Sequence, residues 1–537
     1  MPAPVGRSAM SGDPAPADPA GATPATGTVA TSTAWTVVGQ VAPMGVTIFL
    51  TPFMIHGLGI TRYGLFVLVV SLVGFLAILD GGTGGTARRY FSVYAGQDDR
   101  RSASELLVTA LGFLAVLGAL LSVAGWFVAP PLVDVLRMPP HLRPQAIFLF
   151  RTLGGLVTLS FFHSVFGGLL QAHSRYAFLT KAGFGCYAVW AVGLVATIHF
   201  GLGLRGIAVV FLVQQFLLAA TVVPAALRYV DRDHLALMPW PDARAFLGFS
   251  GRLQLSSFSY LINTELDNLV VGGVLAVRSV SFYDSGTNFA QNVGGLLLAG
   301  LWPAETAVAN TFGRSGAGPA LAQYRRLQHL WVTVLTGLFA AAGGAAYFAI
   351  VSWLGPAFRL AGVIAIVALG TQLALLLTSA LSDFCIAIGH PGVYTRAAGV
   401  SVVVNLGLMV PLVLTGAAGV AVAALVGQSA GLGYLIRAAR RRVDRDIPNP
   451  LRSIAVGPGL LTAAAVAGLE WLARPVVPSG GLGLIACAVP AAAGLLVFAG
   501  LAFGMRRSFT TGRTLLRRAR VAGARTAIAE LLADPTA

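Results

Sequence analysis

Charge is scarce in this chain of 537 residues. Only 10% of them are Asp, Glu, Lys or Arg, where a soluble protein carries about 25%. Hydrophobic residues make up 56% of the sequence and the mean hydropathy is +0.78. That leaves too little polar surface to face water all round, so most of the chain needs lipid as its solvent. Cysteine is nearly missing: Cys186, Cys385 and Cys487 stand far apart, each in an apolar run. This spacing excludes a C-x-x-C metal pair and a disulfide framework, and core packing is what remains. Walker A, HExxH and GxSxG patterns are also lacking, as is any cluster of His, Asp and Glu at metal-ligand spacing. The chain is therefore read as a non-enzyme without cofactor or metal.

What is present is a repeated pattern of apolar runs. A helix crossing the hydrocarbon core needs about 20 mostly apolar residues. Six such runs lie near 34–55, 63–84, 105–128, 146–170, 183–202 and 206–227, and six more near 249–274, 282–304, 328–354, 360–388, 394–415 and 417–436. A final pair lies near 453–473 and 482–505. The expected fold is an all-α polytopic membrane protein of about 14 transmembrane helices, two six-helix bundles plus a C-terminal helix pair. Residues 1–33, rich in Pro, Ala, Thr and Gly, read as a disordered cytoplasmic tail without the apolar core of a signal peptide. The bundles span 34–228 and 248–437, joined by a cytoplasmic linker at 229–247. A basic loop and the final helix pair occupy 438–505, and 506–537 is a basic, amphipathic cytoplasmic tail suited to an anionic membrane surface.

Orientation follows from the basic residues. Lys and Arg total 36 against 20 Asp and Glu, a net charge of +16. With the N-terminus in the cytoplasm and the spans alternating, about 28 of the 36 fall on the cytoplasmic side and about 7 outside. Both termini are then cytoplasmic, in a bacterial plasma membrane. The positive charge marks membrane orientation, and the near absence of aromatics in the basic tail argues against nucleic acid.

The stretch "LDGGTGGTARRYFSVYAG", Leu79 to Gly96, fits the dinucleotide fingerprint G-x-G-x-x-G/A at Gly82, Gly84 and Ala87. A dinucleotide site needs a strand before those glycines and a helix after them. The preceding "YGLFVLVVSLVGFLAILD" is too long and continuous for that strand. The glycines mark the end of a span.

Three segments resemble one family. They are "HGLGITRYGLFVLVVSLVGFLAILDGGTGGTARRYFSVYAG", "FLGFSGRLQLSSFSYLINTELDNLVVGGVLAVRSVSFYDSG" and "AIGHPGVYTRAAGVSVVVNLGLMVPLV" with the following "GAAGVAVAALVG". In order and spacing they are similar to the Wzx-type polysaccharide-lipid flippases of the multidrug/oligosaccharidyl-lipid/polysaccharide exporter superfamily. The resemblance implies a carrier that moves an undecaprenyl-pyrophosphate-linked oligosaccharide from the inner to the outer leaflet by alternating access between its halves, for export of a surface polysaccharide. Its partners would be membrane lipids, a polysaccharide polymerase and glycosyltransferases. A lipid II or other lipid-linked precursor flippase is the alternative, ahead of a drug/cation antiporter or a membrane glycan polymerase.

Ionisable residues inside spans are expensive and so mark function by default. Arg151, near the outer end of the fourth span, and Arg252, at the start of the seventh, are the candidate substrate-binding cations; snorkelling and positive-inside anchoring are the plainer readings. Glu265 and Asp267 lie in the outer half of the seventh span. Two residues apart, they point about 200° apart on a helix. Asp267 matches the family's acidic position, which implies a role in proton or cation coupling, with a structural ion pair as the plainer reading. Asp80, Arg88, Glu305 and Asp383, near cytoplasmic span ends, form a second tier.

Overall fold

The computed structural model describes residues 45–503, apart from 78–79, 81–82, 137, 174, 249, 251–265, 388–389, 476 and 478–479. The described residues fold as helices and turns, with no strand among them. The helices are α1 (Gly45–Leu58), α2 (Ile60–Ala77), α3 (Thr83–Gly96), α4 (Arg100–Val135), α5 (Arg143–Ala172), α6 (Tyr176–His199) and α7 (Gly203–Ala226). Further along the chain come α8 (Leu266–Val270, continued as a π-type turn to Leu275) and α9 (Val277–Ser315). The rest are α10 (Ala317–Leu354), α11 (Arg359–Ala387), α12 (Pro391–Leu412), α13 (Ala417–Arg442), α14 (Val456–Ala473) and α15 (Gly481–Phe503).

Eleven helices among the described residues are long and apolar enough to cross a membrane. They coincide with eleven of the fourteen expected spans. α1 and α8, the described parts of the first and seventh spans, are shorter, and the eighth span lies within the more polar α9. The chain is a multi-pass, all-helical membrane protein. Its surface has the matching physics: Phe127, Val192, Val410 and Leu414 are each 70% or more exposed. Side chains of this kind on several helices demand an apolar solvent around the molecule.

Residue chemistry sets the helix ends. Gly59, at φ 82, makes the turn between α1 and α2 and its carbonyl accepts the Tyr63 N–H at 3.0 Å. This is the "GLGITRY" turn of the sequence. At the far end of α2, the Asp80 carboxylate accepts the Gly84 N–H at 3.2 Å and so caps α3. The glycine-rich run is a helix–break–helix, not a strand–turn–helix. Asp99 in turn caps α4 by accepting from the Ser102 N–H at 3.0 Å.

The chain divides into two compact units, one containing His56–Leu269 and the other beginning at Val270. In the first, Phe91 of α3, Leu106 of α4, Phe161 of α5, Val222 of α7 and Phe246 share one buried core. The interval 229–247 is pinned to α4. Ser104 Oγ accepts the Asp231 N–H at 2.8 Å, and Thr109 Oγ1 accepts the Met238 N–H at 2.8 Å. In the second unit, α12 and α13 pack at backbone distance. A Cβ on Gly427 would stand 2.9 Å from the Ser401 carbonyl, and one on Gly431 would stand 3.0 Å from that of Ala397. "GQSAG", residues 427–431, is thus a working G-x-x-x-G face. α13 also runs to Arg442, beyond the expected span end at 436, so the arginines at 437–442 ride on a helix rather than in a loop.

Candidate functional site

In the first unit, Arg151 sits half-buried on α5 with its guanidinium 4.2 Å from the ring centroid of Trp126 on α4. Its Nε has no hydrogen-bond partner among the described residues, nor does it form a salt bridge there. The cation is held by a ring face, which leaves its N–H fork available to an anion. Asp267 and Asn268 on α8 are both buried. Asn268 Nδ2 donates to Ser71 Oγ of α2 at 2.9 Å, locking the position of α8 beside Asp267. Arg88, exposed on α3, donates to Gln171 Oε1 of α5 at 3.3 Å.

Arg252 and Glu265 lie outside the described residues. Of the second-tier acids, Asp80 caps α3, Glu305 falls on α9 and Asp383 is half-buried on α11. The candidates therefore distribute over both units: Asp80, Arg88, Arg151 and Asp267 in the first, Glu305 and Asp383 in the second.

A search of the sequence for charges passes over a set of neutral polar residues buried in the second unit. Gln428 of α13 donates to Thr378 of α11 at 3.3 Å and accepts from Ser401 of α12 at 3.2 Å, so one amide ties three helices. On α10, Tyr324, Gln328 and Trp331 recur at helical spacing. The Tyr324 hydroxyl, both amide atoms of Gln328 and the Trp331 Nε1 are buried with no hydrogen-bond partner among the described residues. Each such group costs about 1–3 kcal/mol if left dry, and three on one face require water or a polar ligand. Their i, i+4, i+7 spacing in "YRRLQHLW", at the head of the apolar run, places the three on one helix face.

The second unit also has a basic cavity of about 930 Å³ where α13 ends, lined by Tyr434, Arg437, Arg440, Arg441, Arg445 and Asn449. The loop beyond it is fastened by Arg325, whose guanidinium donates to the Asp446 carbonyl at 2.8 Å and pairs with its carboxylate at 3.4 Å. Four guanidinium groups around one concavity favour a multiply charged anion.

Residues 60–301 match the family described as polysaccharide biosynthesis protein. No curated protein sequence matches the chain. Among solved structures, the lipid II flippase MurJ in an inward closed conformation superposes with a TM-score of 0.66 at 14% identity, covering 89% of this chain and 98% of that one. A multidrug resistance MATE family transporter of the MOP superfamily matches in its inward-facing conformation with a TM-score of 0.56 at 15% identity, over 76% of this chain and 94% of that one. An outward-facing form of such a transporter gives 0.51 at 17% identity, over 76% and 95%. Residues 60–301 thus resemble a polysaccharide biosynthesis family, and the chain shares the fold of these flippase and transporter structures over most of its length.

Proposed function

We propose that the protein flips a polyprenyl-pyrophosphate-linked oligosaccharide from the inner to the outer leaflet by alternating access, without chemical change to its cargo. The match of residues 60–301 to a polysaccharide biosynthesis family carries this reading. The intramembrane chemistry supports it. A sugar headgroup brings many hydroxyls, each costly to strip of water in hydrocarbon. Neutral polar side chains such as Gln328 and Tyr324 offer replacement partners inside the helices. A pyrophosphate needs cations, and Arg151 presents a free guanidinium edge within a span. Arg252 remains assigned to the same task, and Glu265, Arg88, Glu305, Asp80 and Asp383 to the polar lining.

On the orientation set by the arginine asymmetry, the basic cavity at Arg437–Arg445 faces the cytoplasm, where an anionic lipid-linked substrate is loaded. A lipid II-type precursor is the second reading, favoured by the extent of the superposition on MurJ. Depletion of the protein in its native bacterium separates these. Surface polysaccharide should disappear while its lipid-linked oligosaccharide accumulates facing the cytoplasm. Arrest of peptidoglycan synthesis with lipid II accumulating instead would select the second reading, and surface-displayed single repeat units would reveal a polymerase.

Asp267 is the acid we assign to ion coupling. Asp267→Asn should slow transport severalfold and flatten its dependence on pH between 6 and 8, measured by lipid-linked oligosaccharide flipping in vesicles. A native rate and a native pH profile would leave Asp267 a structural role only.

A further inference from the structure

A second cavity in the unit beginning at Val270 has chemistry that the transport reading does not use. It encloses about 400 Å³ between the end of α10, the α10–α11 turn and the end of α14. Glu470 forms part of its wall, only 1% exposed, and neither carboxylate oxygen has a hydrogen-bond partner among the described residues. The Cys487 thiol is its polar neighbour and, among the described residues, the single, weak S–H donor within its reach. Arg359 and Arg474 stand on the cavity's exposed margin and form no salt bridge with Glu470. Gly355, at φ 93, shapes the turn below Arg359. The Gly480 N–H donates to the Ser352 carbonyl at 2.8 Å, which fastens the α14–α15 turn to the end of α10. The walls are therefore built, with one buried acid inside and two cations at the mouth.

This order of charges is selective. A buried carboxylate with one weak thiol donor is costly, by several kcal/mol for the ionised form. Direct pairing with the arginines is not made, so the carboxylate and the two guanidinium groups each await a partner of opposite sign. A simple anion would satisfy the margin and leave Glu470 stranded, and a metal cation would do the reverse. A ligand that carries an ammonium at its tip and a phosphate a few bonds behind it satisfies both. The primary ammonium supplies three N–H donors to the two carboxylate oxygens. The phosphate takes the guanidinium forks.

We propose that this cavity binds a phosphoethanolamine group, ammonium inward on Glu470 and phosphate outward on Arg359 and Arg474. By the arginine asymmetry the cavity opens at the outer face, where the headgroup of an aminophospholipid or a soluble phosphoethanolamine can reach it.

The test uses the full chain in detergent, with binding read by native mass spectrometry and by the shift of the unfolding temperature. Phosphatidylethanolamine, phosphatidylglycerol and phosphatidylcholine are added separately, and O-phosphoethanolamine is the soluble probe. Phosphatidylethanolamine should bind at least tenfold more tightly than the other two lipids, since one lacks the ammonium and the other has no N–H to donate. Glu470→Gln should abolish that preference. Arg474→Ala, an exposed change that leaves the walls intact, should weaken phosphatidylethanolamine about tenfold and gives the answer independently if the Glu470 variant fails to fold. Tight binding of O-phosphoethanolamine alone supports the same site with a soluble source, and binding of the lipid alone supports a membrane source. Equal affinity for the three lipids with no binding of O-phosphoethanolamine, or an undiminished preference in both variants, overturns the proposal.

Discussion

Gly427→Leu should lower the unfolding temperature of the second unit by many degrees. The reason lies in the α12–α13 seam, where a Cβ at 427 would stand 2.9 Å from both the Asn405 nitrogen and the Ser401 oxygen. Both are main-chain atoms of a helix, and neither can turn aside as a flexible side chain does. In lipid, helices associate through such close packing because apolar burial against a neighbour gains little over burial in acyl chains. Inserting four carbons there costs about 3 kcal/mol, at the upper end for overpacking, roughly a hundredfold in the folding equilibrium. The change also separates Gln428 from Thr378 and Ser401. Gly407→Ala is the control: it lies on α12 with open space around its Cβ position, and removing a mid-helix glycine should leave stability unchanged or raise it by up to about 1 kcal/mol. Thermal unfolding in detergent compares the two. Equal unfolding temperatures for Gly427→Leu and the native chain would refute the packing account.

Arg151→Ala should lower polysaccharide export tenfold or more while the protein still inserts and folds. A guanidinium within an apolar helix is retained against its cost only where it is used. Stacking on Trp126 at 4.2 Å contributes about 0.5–2 kcal/mol towards keeping it there. That contact occupies the flat face of the group and leaves its N–H edge for a phosphate. Arg151→Lys keeps the charge and loses the fork, so it should recover only part of the rate. Trp126→Phe keeps a ring face of weaker attraction and should change the rate less than Arg151→Ala. Flipping of fluorescent lipid-linked oligosaccharide in vesicles, normalised to inserted protein, is the readout. Export within twofold of native in Arg151→Ala would remove this residue from the substrate path.

Much of the fold was legible in one dimension because a bilayer imposes a length and a composition on any helix that crosses it. The spans near 105–128 and 146–170 reappear as α4 and α5, each longer at both ends, and those near 360–388 and 394–415 as α11 and α12, shifted by one and three residues. Where a helix runs on into polar, water-facing residues, hydropathy cannot see the extension. The α10 helix, for example, starts at Ala317 and carries exposed Arg325 and Arg326 before the apolar run begins. The glycine-rich run after α2 was equally readable, since its apolar lead was too long for a strand and Asp80 stood ready to cap what followed.

The site was legible only in part. Arg151 and Asp267 stand out in sequence because charge inside a span is rare. Tyr324, Gln328 and Gln428 do not, since a neutral amide or phenol is cheap enough to occur in many helices without a role. Glu470 shows the same limit from the other side. As a lone acid near the end of the thirteenth span it looks like an interfacial residue, yet the fold buries it in the wall of a cavity with two arginines at the mouth.

The order of apolar runs and the placement of arginines, both local properties, determined that this chain is a many-helix membrane protein and how its helices follow one another. Which buried polar groups face a cavity, which are tied to one another and which glycine lies against a backbone depend on contacts between residues distant in the chain. Side-chain satisfaction is decided by neighbours in space, and only the packed helices supply those neighbours.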